Sequence, residues 1–469
     1  MKTFWLWFRW PLYAGCAFAG LIVALQLLYV LLPEPALSAD SQQMQNAAAP
    51  QFVANEAGYF ALGLLAPEGM EPIEYGKCRS QVLAAQQSAI NTLPTGGDQS
   101  DDKLTSMWDR LAEREKACLQ GQRRLEITRV LSKGELQWSD VVALAERGRI
   151  PASFEKRLNQ LAIMGTVGFD PGISMLVLGS RDLSALTDLA SFLSADGAVR
   201  WELGDKSGAL AAFSKTAAHA DTLRSGSLVD VMVANAIHAR QLRIIQLLVT
   251  RSNGLAREDA LQLNEIVKKA DLLPQFLVSA LAYEHRFSQT LRQDAVTSQL
   301  NASGTWERWA IKLSSVNRAA NRHAAGLKHI VATTQTARMA LAVSNAPAPA
   351  GLPEPCGTFI NLQLLCLLFY PDPVGHLFSL LALPNYADYS VRLHQTVMLA
   401  NAVRLSIAAR EKNLVGDAFL QFANSAPANM RNPFTDASFA VDIQKRTLTL
   451  PIYVKSGALA DGSTLMLPI

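Results

Sequence analysis

The chain has 469 residues, 49% of them hydrophobic and 18% charged, with a formal net charge of +3. That composition excludes a disordered chain and a multi-span membrane protein, and it suits a globular body with an ample core. A charge so near balance leaves no electrostatic footprint for DNA or RNA, so no nucleic-acid partner is expected.

Residues 11–32, PLYAGCAFAGLIVALQLLYVLL, carry no charged side chain. As an α-helix this run reaches about 33 Å, enough for a hydrocarbon core of about 30 Å, so a single transmembrane helix is predicted here. Lys2 and Arg9 precede the span and the next basic residue after it is Lys77, which places residues 1–10 in the cytoplasm and the body outside it. Trp5, Trp7, Trp10 and Tyr13 at the entry and Tyr29 at the exit make an aromatic belt. The rival reading is a cleaved signal peptide cut after Ser38; the apolar run exceeds a usual signal core, which favours a retained anchor.

Beyond the span stand Cys78, Cys118, Cys356 and Cys366, an even number that permits two disulfides in an oxidising compartment. Proximity in sequence favours Cys78–Cys118 and Cys356–Cys366. No pair is spaced CxxC, so zinc and thioredoxin-like chemistry lack support.

Residues 33–51 are rich in Pro, Ala and Gln without apolar periodicity and read as a tether. A helical body follows over 52–345. A short helix ends at Pro67, an amphipathic one follows from Tyr75, and a charged helix is expected over 104–131 with Trp108, Leu111, Cys118 and Leu125 on it. Over 183–291 apolar residues recur every three or four positions between Gly and Ser breaks, which predicts helices at 183–203, 208–223, 228–250, 258–269 and 272–291.

The string WELGDKSGALAAFSKTAAHA, residues 201–220, resembles the helix–turn–helix of tetratricopeptide-type repeats. Trp201, Leu203, Gly204, Ala209 and Phe213 stand near that motif's packing positions. The resemblance covers one hairpin and implies antiparallel αα-hairpins stacked in a similar manner.

A single long helix is expected over 306–343. It carries Arg308, Lys312, Arg318, Arg322, Lys328 and Arg338 with His323 and His329, against one acid, Glu307. This is a solvated face or a docking face for an acidic partner or anionic headgroups. A linker at 344–355 opens a smaller C-terminal unit, 346–469, with a helix at 389–410 and a β-hairpin in which 439–443 and 447–450 flank Gln444-Lys445-Arg446.

No stretch carries a hydrolase, metalloprotease, nucleotide or kinase motif, so no cofactor is expected. Glu284 sits on the apolar stripe Leu273, Phe276, Leu277, Ala280, Phe287, Leu291, and Arg240 sits on the stripe of the helix at 228–250, between Val233, Ile237, Ile244 and Leu247. A buried charge needs a partner, which makes each a candidate for the other; the alternative is a general acid or base at Glu284.

The sequence therefore predicts a mainly α fold: a transmembrane helix, an αα-hairpin array and a small α+β unit ending in a β-hairpin. The expected role is a single-pass inner-membrane adaptor that binds another envelope protein. The alternative is an envelope hydrolase acting on cell-wall or lipid substrate through Glu284.

Overall fold

The computed structural model describes residues 34–48, 53–91, 109–110, 113–126, 136–147, 151–164, 167–168, 183–223, 226–302, 316–345, 373–453 and 464–469. The span 11–32, Arg308, Lys312, Cys356 and Cys366 lie outside the described residues. Among the described residues no helix is long and apolar enough to cross a membrane.

The described chain is mainly helical, with one three-stranded antiparallel sheet. It forms two compact units, each assembled from separate segments. The first takes Met1–Asn46, His285–Ile330 and Ala346–Tyr386; the second takes Ala47–Glu284, Val331–Asn345 and Ala387–Ile469. This interleaved division does not follow the cut into 52–345 and 346–469.

In the first unit, helix α1 (Ala39–Ala48) occupies the stretch expected to be a tether. Ala, Gln and Met are strong helix formers, and Ser38 caps the first turn by accepting from the Ser41 N–H at 3.2 Å. Polar side chains dock the segment, which is why no apolar stripe announces it. Asn321 accepts from the Ser38 N–H at 2.7 Å, and Lys328 pairs with Asp40 at 2.7 Å.

The second unit begins with α2 (Glu56–Leu62) and α3 (Pro72–Asn91). Their backbones touch: a Cβ on Gly63 would lie 1.8 Å from the Pro72 carbonyl oxygen, and one on Gly76 would lie 1.7 Å from that of Tyr59. Cys78 on α3 is bonded to Cys118, with Cα atoms 5.8 Å apart. The bridge packs in a small core with Ala66, Tyr75 and Leu119. By loop-closure entropy it contributes at most about 4 kcal/mol. The helix expected over 104–131 is cut short: residues 113–118 are helical, then Gln120 (φ 50°) and Gly121 (φ 80°) turn the chain. Leu125 consequently leaves the helix, and its N–H donates to the Leu65 carbonyl at 3.1 Å. Two helices without a counterpart in the sequence expectations follow, α4 (Trp138–Arg147) and α5 (Ala152–Met164).

The hairpin stack is α6 (Leu183–Glu202), α7 (Lys206–Asp221), α8 (Leu228–Arg251), α9 (Arg257–Lys268) and α10 (Leu273–Ala302). Gly204 turns between α6 and α7 at φ 89°, a left-handed conformation that a side chain would strain. Asp205 then caps α7 by accepting from the Gly208 N–H at 2.9 Å. Trp201, Ala209 and Phe213 are buried, as the repeat-like motif asks, whereas Leu203 is 80% exposed and departs from it.

The helix expected over 306–343 is two helices, α11 (Val316–Thr333) and α12 (Ala337–Ser344). Thr336 breaks the run by capping α12, accepting from the Met339 N–H at 3.3 Å. Then come α13 (Pro373–Glu411), which opens on a proline where no N–H is needed, and α14 (Gly416–Asn424). The expected hairpin forms between β1 (Ala440–Asp442) and β2 (Thr447–Pro451), with Asp442 opposite Thr447. A third strand, β3 (Thr464–Pro468), adds to the far side of β2.

Candidate functional site

Glu284 on α10 serves the N-terminus of α8. Its Oε1 accepts from the Leu228 N–H at 3.0 Å, one of the donors a helix start leaves unpaired. Nearby, Ser227 and Asp230 form a capping box, with Asp230 accepting from the Ser227 N–H at 2.8 Å and its hydroxyl at 2.9 Å. Burial raises the Glu284 carboxyl to about 7 and the Asp230 charge pushes the same way, against the Leu228 N–H.

Arg240 has other company. Its guanidinium donates to the Ser191 hydroxyl at 2.7 Å, and Asp188 is the acid whose field acts on it. The pairing of Arg240 with Glu284 expected from their stripes is thus replaced by two separate arrangements. Glu284 docks at Leu228, and twelve residues of helix carry Arg240 about 18 Å farther along the axis. A shared core face fixes azimuth, not height.

Glu284→Gln should keep the acceptor for Leu228 while removing a buried charge. We expect denaturant unfolding at pH 8 to show it more stable than the parent, while Glu284→Ala loses about 1–2 kcal/mol through the uncapped N–H. Equal losses for both would contradict the capping role.

The predicted cationic face is partly committed. Lys328 pairs with Asp40, Arg318 and Arg322 are half-buried on α11, and His323 is buried. His323 meets His285, Nδ1 to Nδ1 at 3.4 Å, and His285 Nε2 lies 3.0 Å from the Ser41 hydroxyl. Gln45 donates to the Gln289 carboxamide oxygen, so the Gln289 NH₂ faces His285 Nε2 at 3.2 Å and assigns that nitrogen as an acceptor. A hydroxyl donating to an imidazole is the beginning of a nucleophile, and sequence reasoning had no signal for it across 244 residues. Ser41 and His285 are both fully buried, however, so the group ties α1 to α10 and α11 rather than meeting a substrate.

The hairpin stack presents a groove of ≈ 580 Å³ between α7 and α9. Leu210, Ala217, Leu261 and Ile266 give it apolar walls, with Glu265 and Lys269 among its charged groups. Lys206 and Asp259 bridge the two helices at their N-terminal ends, 2.5 Å apart. Leu261 stands 58% exposed. Among the described residues no group of three His, Cys, Asp or Glu side chains is placed to hold a metal ion.

Comparison with protein-family models, with curated proteins and with solved structures found no match.

Proposed function

We propose that the chain is a membrane-anchored adaptor of the bacterial envelope, whose helical body lies outside the cytoplasm and receives an amphipathic helix of another envelope protein. The α7–α9 groove carries this reading. Its apolar walls run along two neighbouring helices, the geometry that takes apolar anchors spaced i, i+3, i+4 and i+7 on a partner helix. The Cys78–Cys118 bridge supports an oxidising compartment, and the uncharged run 11–32 behind Lys2 and Arg9 supports the anchor and its orientation.

The hydrolase alternative draws on one observation, a carboxyl near neutrality at Glu284 beside Asp230, a pattern that suits proton transfer. Against it, Glu284 is engaged by Leu228 and does not line the groove.

A photo-crosslinking residue at Leu261 of the full chain, in intact cells, should yield an adduct with one envelope protein. The same probe at Ile163, which is 86% exposed on α5, should not. Adducts of equal yield at both positions, none at Leu261, or a cytoplasmic partner would remove the adaptor reading.

A further inference from the structure

A second cavity lies within the second unit, where the C-terminal ends of α8 and α13 meet the start of α14 and the β1–β2 turn. It measures ≈ 270 Å³. Its walls are apolar, built by Val249, Ala409, Leu414, Val415, Phe419 and Ile443, and two guanidiniums, Arg410 and Arg446, line it with them.

The other polar side chains there are already spent on the fold. Thr250 donates to the Gln246 carbonyl at 2.7 Å. Ser406 donates to the Ala402 carbonyl at 3.1 Å and accepts from Gln246 at 2.9 Å. Recognition capacity therefore rests with the two arginines. Arg410, in the last turn of α13, donates once to the Thr250 carbonyl at 2.8 Å, which leaves most of its fork unused. Arg446 holds a left-handed backbone, φ 52°, on the hairpin turn, where a side chain other than Gly, Asn or Asp is uncommon. Its main chain is pinned on both sides, the N–H to Ile443 at 3.4 Å and the carbonyl to the Ile469 N–H at 2.9 Å.

Among the described residues no acid answers these charges. Asp442, on the same hairpin, is taken by Lys445 at 3.8 Å, and among the described residues neither guanidinium is in an ion pair. Burial and the neighbouring Arg446 both disfavour the charge on Arg410. Two like charges at an apolar cavity raise the energy of the empty site, and an anion between them relieves it.

We infer that this cavity is a binding site for a small amphipathic anion, with a carboxylate or phosphate head held by Arg410 and Arg446 and a short acyl or alkyl chain against Val249, Leu414, Phe419 and Ile443. The two heads share one chemistry, because a planar guanidinium fork accepts either. The site stands apart from the α7–α9 groove, and neither depends on the other.

Isothermal titration of the full-length chain with hexanoate, hexyl phosphate, inorganic phosphate and hexylammonium tests this. One-to-one binding of hexanoate, hexyl phosphate or both is expected, at least tenfold tighter than inorganic phosphate, with none of hexylammonium. Hexanoate alone marks a free fatty acid as the source, and hexyl phosphate alone marks a phospholipid-type head. Arg446→Gln should weaken binding about tenfold and leave the melting temperature unchanged, since that residue is held by its backbone. Binding of hexylammonium, equal binding of inorganic phosphate, no binding at all, or indifference to Arg446→Gln would each overturn the assignment.

Discussion

Arg157→Ala is expected to lower the unfolding free energy by about 3–5 kcal/mol, one of the largest single-residue losses in the molecule. Arg157 lies on α5, only 8% exposed, and its guanidinium reaches the carbonyls of Leu64 (3.0 Å), Ala66 (2.5 Å), Pro67 (3.0 Å) and Met70 (3.4 Å). These are main-chain acceptors of the segment joining α2 to α3; the Pro67 carbonyl also accepts from the Met70 N–H at 3.2 Å, while the others have no helix or sheet to satisfy them. Glu68 and Glu71 assist through their fields, while burial opposes the charge. Truncation to alanine orphans several carbonyls at about 1–3 kcal/mol each and opens a cavity besides. Arg157→Lys should recover less than half, because a point ammonium cannot reproduce a fork spread over four carbonyls. Denaturant unfolding at neutral pH measures both variants. A loss under about 1 kcal/mol for alanine, or full rescue by lysine, would show that something else holds the segment.

Stability should fall by about 3 kcal/mol as the pH is lowered from 6.5 to 4. Burial holds His219 and His238 at about 4 in the fold, below their ordinary 6.5; at His219 Glu155 opposes the shift and Lys215 adds to it, and at His238 Lys269 adds to it. Both ring nitrogens of His219 are buried without a hydrogen-bond partner, so its charged form has nothing to receive it. A depressed folded pKa means that the unfolded chain takes the proton first. The stabilisation is therefore complete above pH 6.5 and is lost on the way down to about 4, at roughly 3 kcal/mol for each histidine. His394, buried on α13, shifts in the same direction. Glu284 works the opposite way. Its folded pKa of about 7 exceeds the unfolded value of 4.5, so stability is greatest below 4.5 and roughly 3 kcal/mol is lost as the pH rises to 7. The two histidines outweigh the one acid, which leaves the net acid loss. Chemical denaturation across pH 4–8 should show this slope. His219→Leu with His238→Leu should invert it, leaving stability that rises toward acid, and Glu284→Gln should steepen it. A double-histidine variant with the parent's acid slope would refute this account.

What could be read in advance follows the range of the interactions involved. The turn at Gly204-Asp205 and the 444–446 hairpin are set by residues within four positions of each other, and both fall where expected; the Ser227 capping box of α8 is equally local but emerges only from the structure. The Cys78–Cys118 bridge was legible because sequence proximity favoured it over the other pairings. The docked helix α1 was not, since a stretch rich in Pro, Ala and Gln looks the same whether solvated or held by Asn321 and Lys328. Arg157 and the Ser41–His285–His323 group escaped notice for a related reason. Their partners lie 38 to 244 residues away, or are main-chain carbonyls that no side-chain pattern reveals. Glu284 stands out in the sequence as a polar break in an apolar stripe, and its carboxylate accepts from the Leu228 N–H. Its partner was missed because helical periodicity carries no information about position along a neighbouring axis.

The bond between Cys78 and Cys118 also alters the covalent topology of the chain. Residues 78–118 form a closed ring, so the path from the first half of α3 to residues beyond 118 runs through two sulfurs as well as through the backbone. A protease cut inside the ring leaves a single covalent molecule, whose pieces separate only after reduction. Lengthening the ring enlarges a loop whose closure is already enforced, and each doubling of loop length carries an entropic penalty of only about 0.6 kcal/mol.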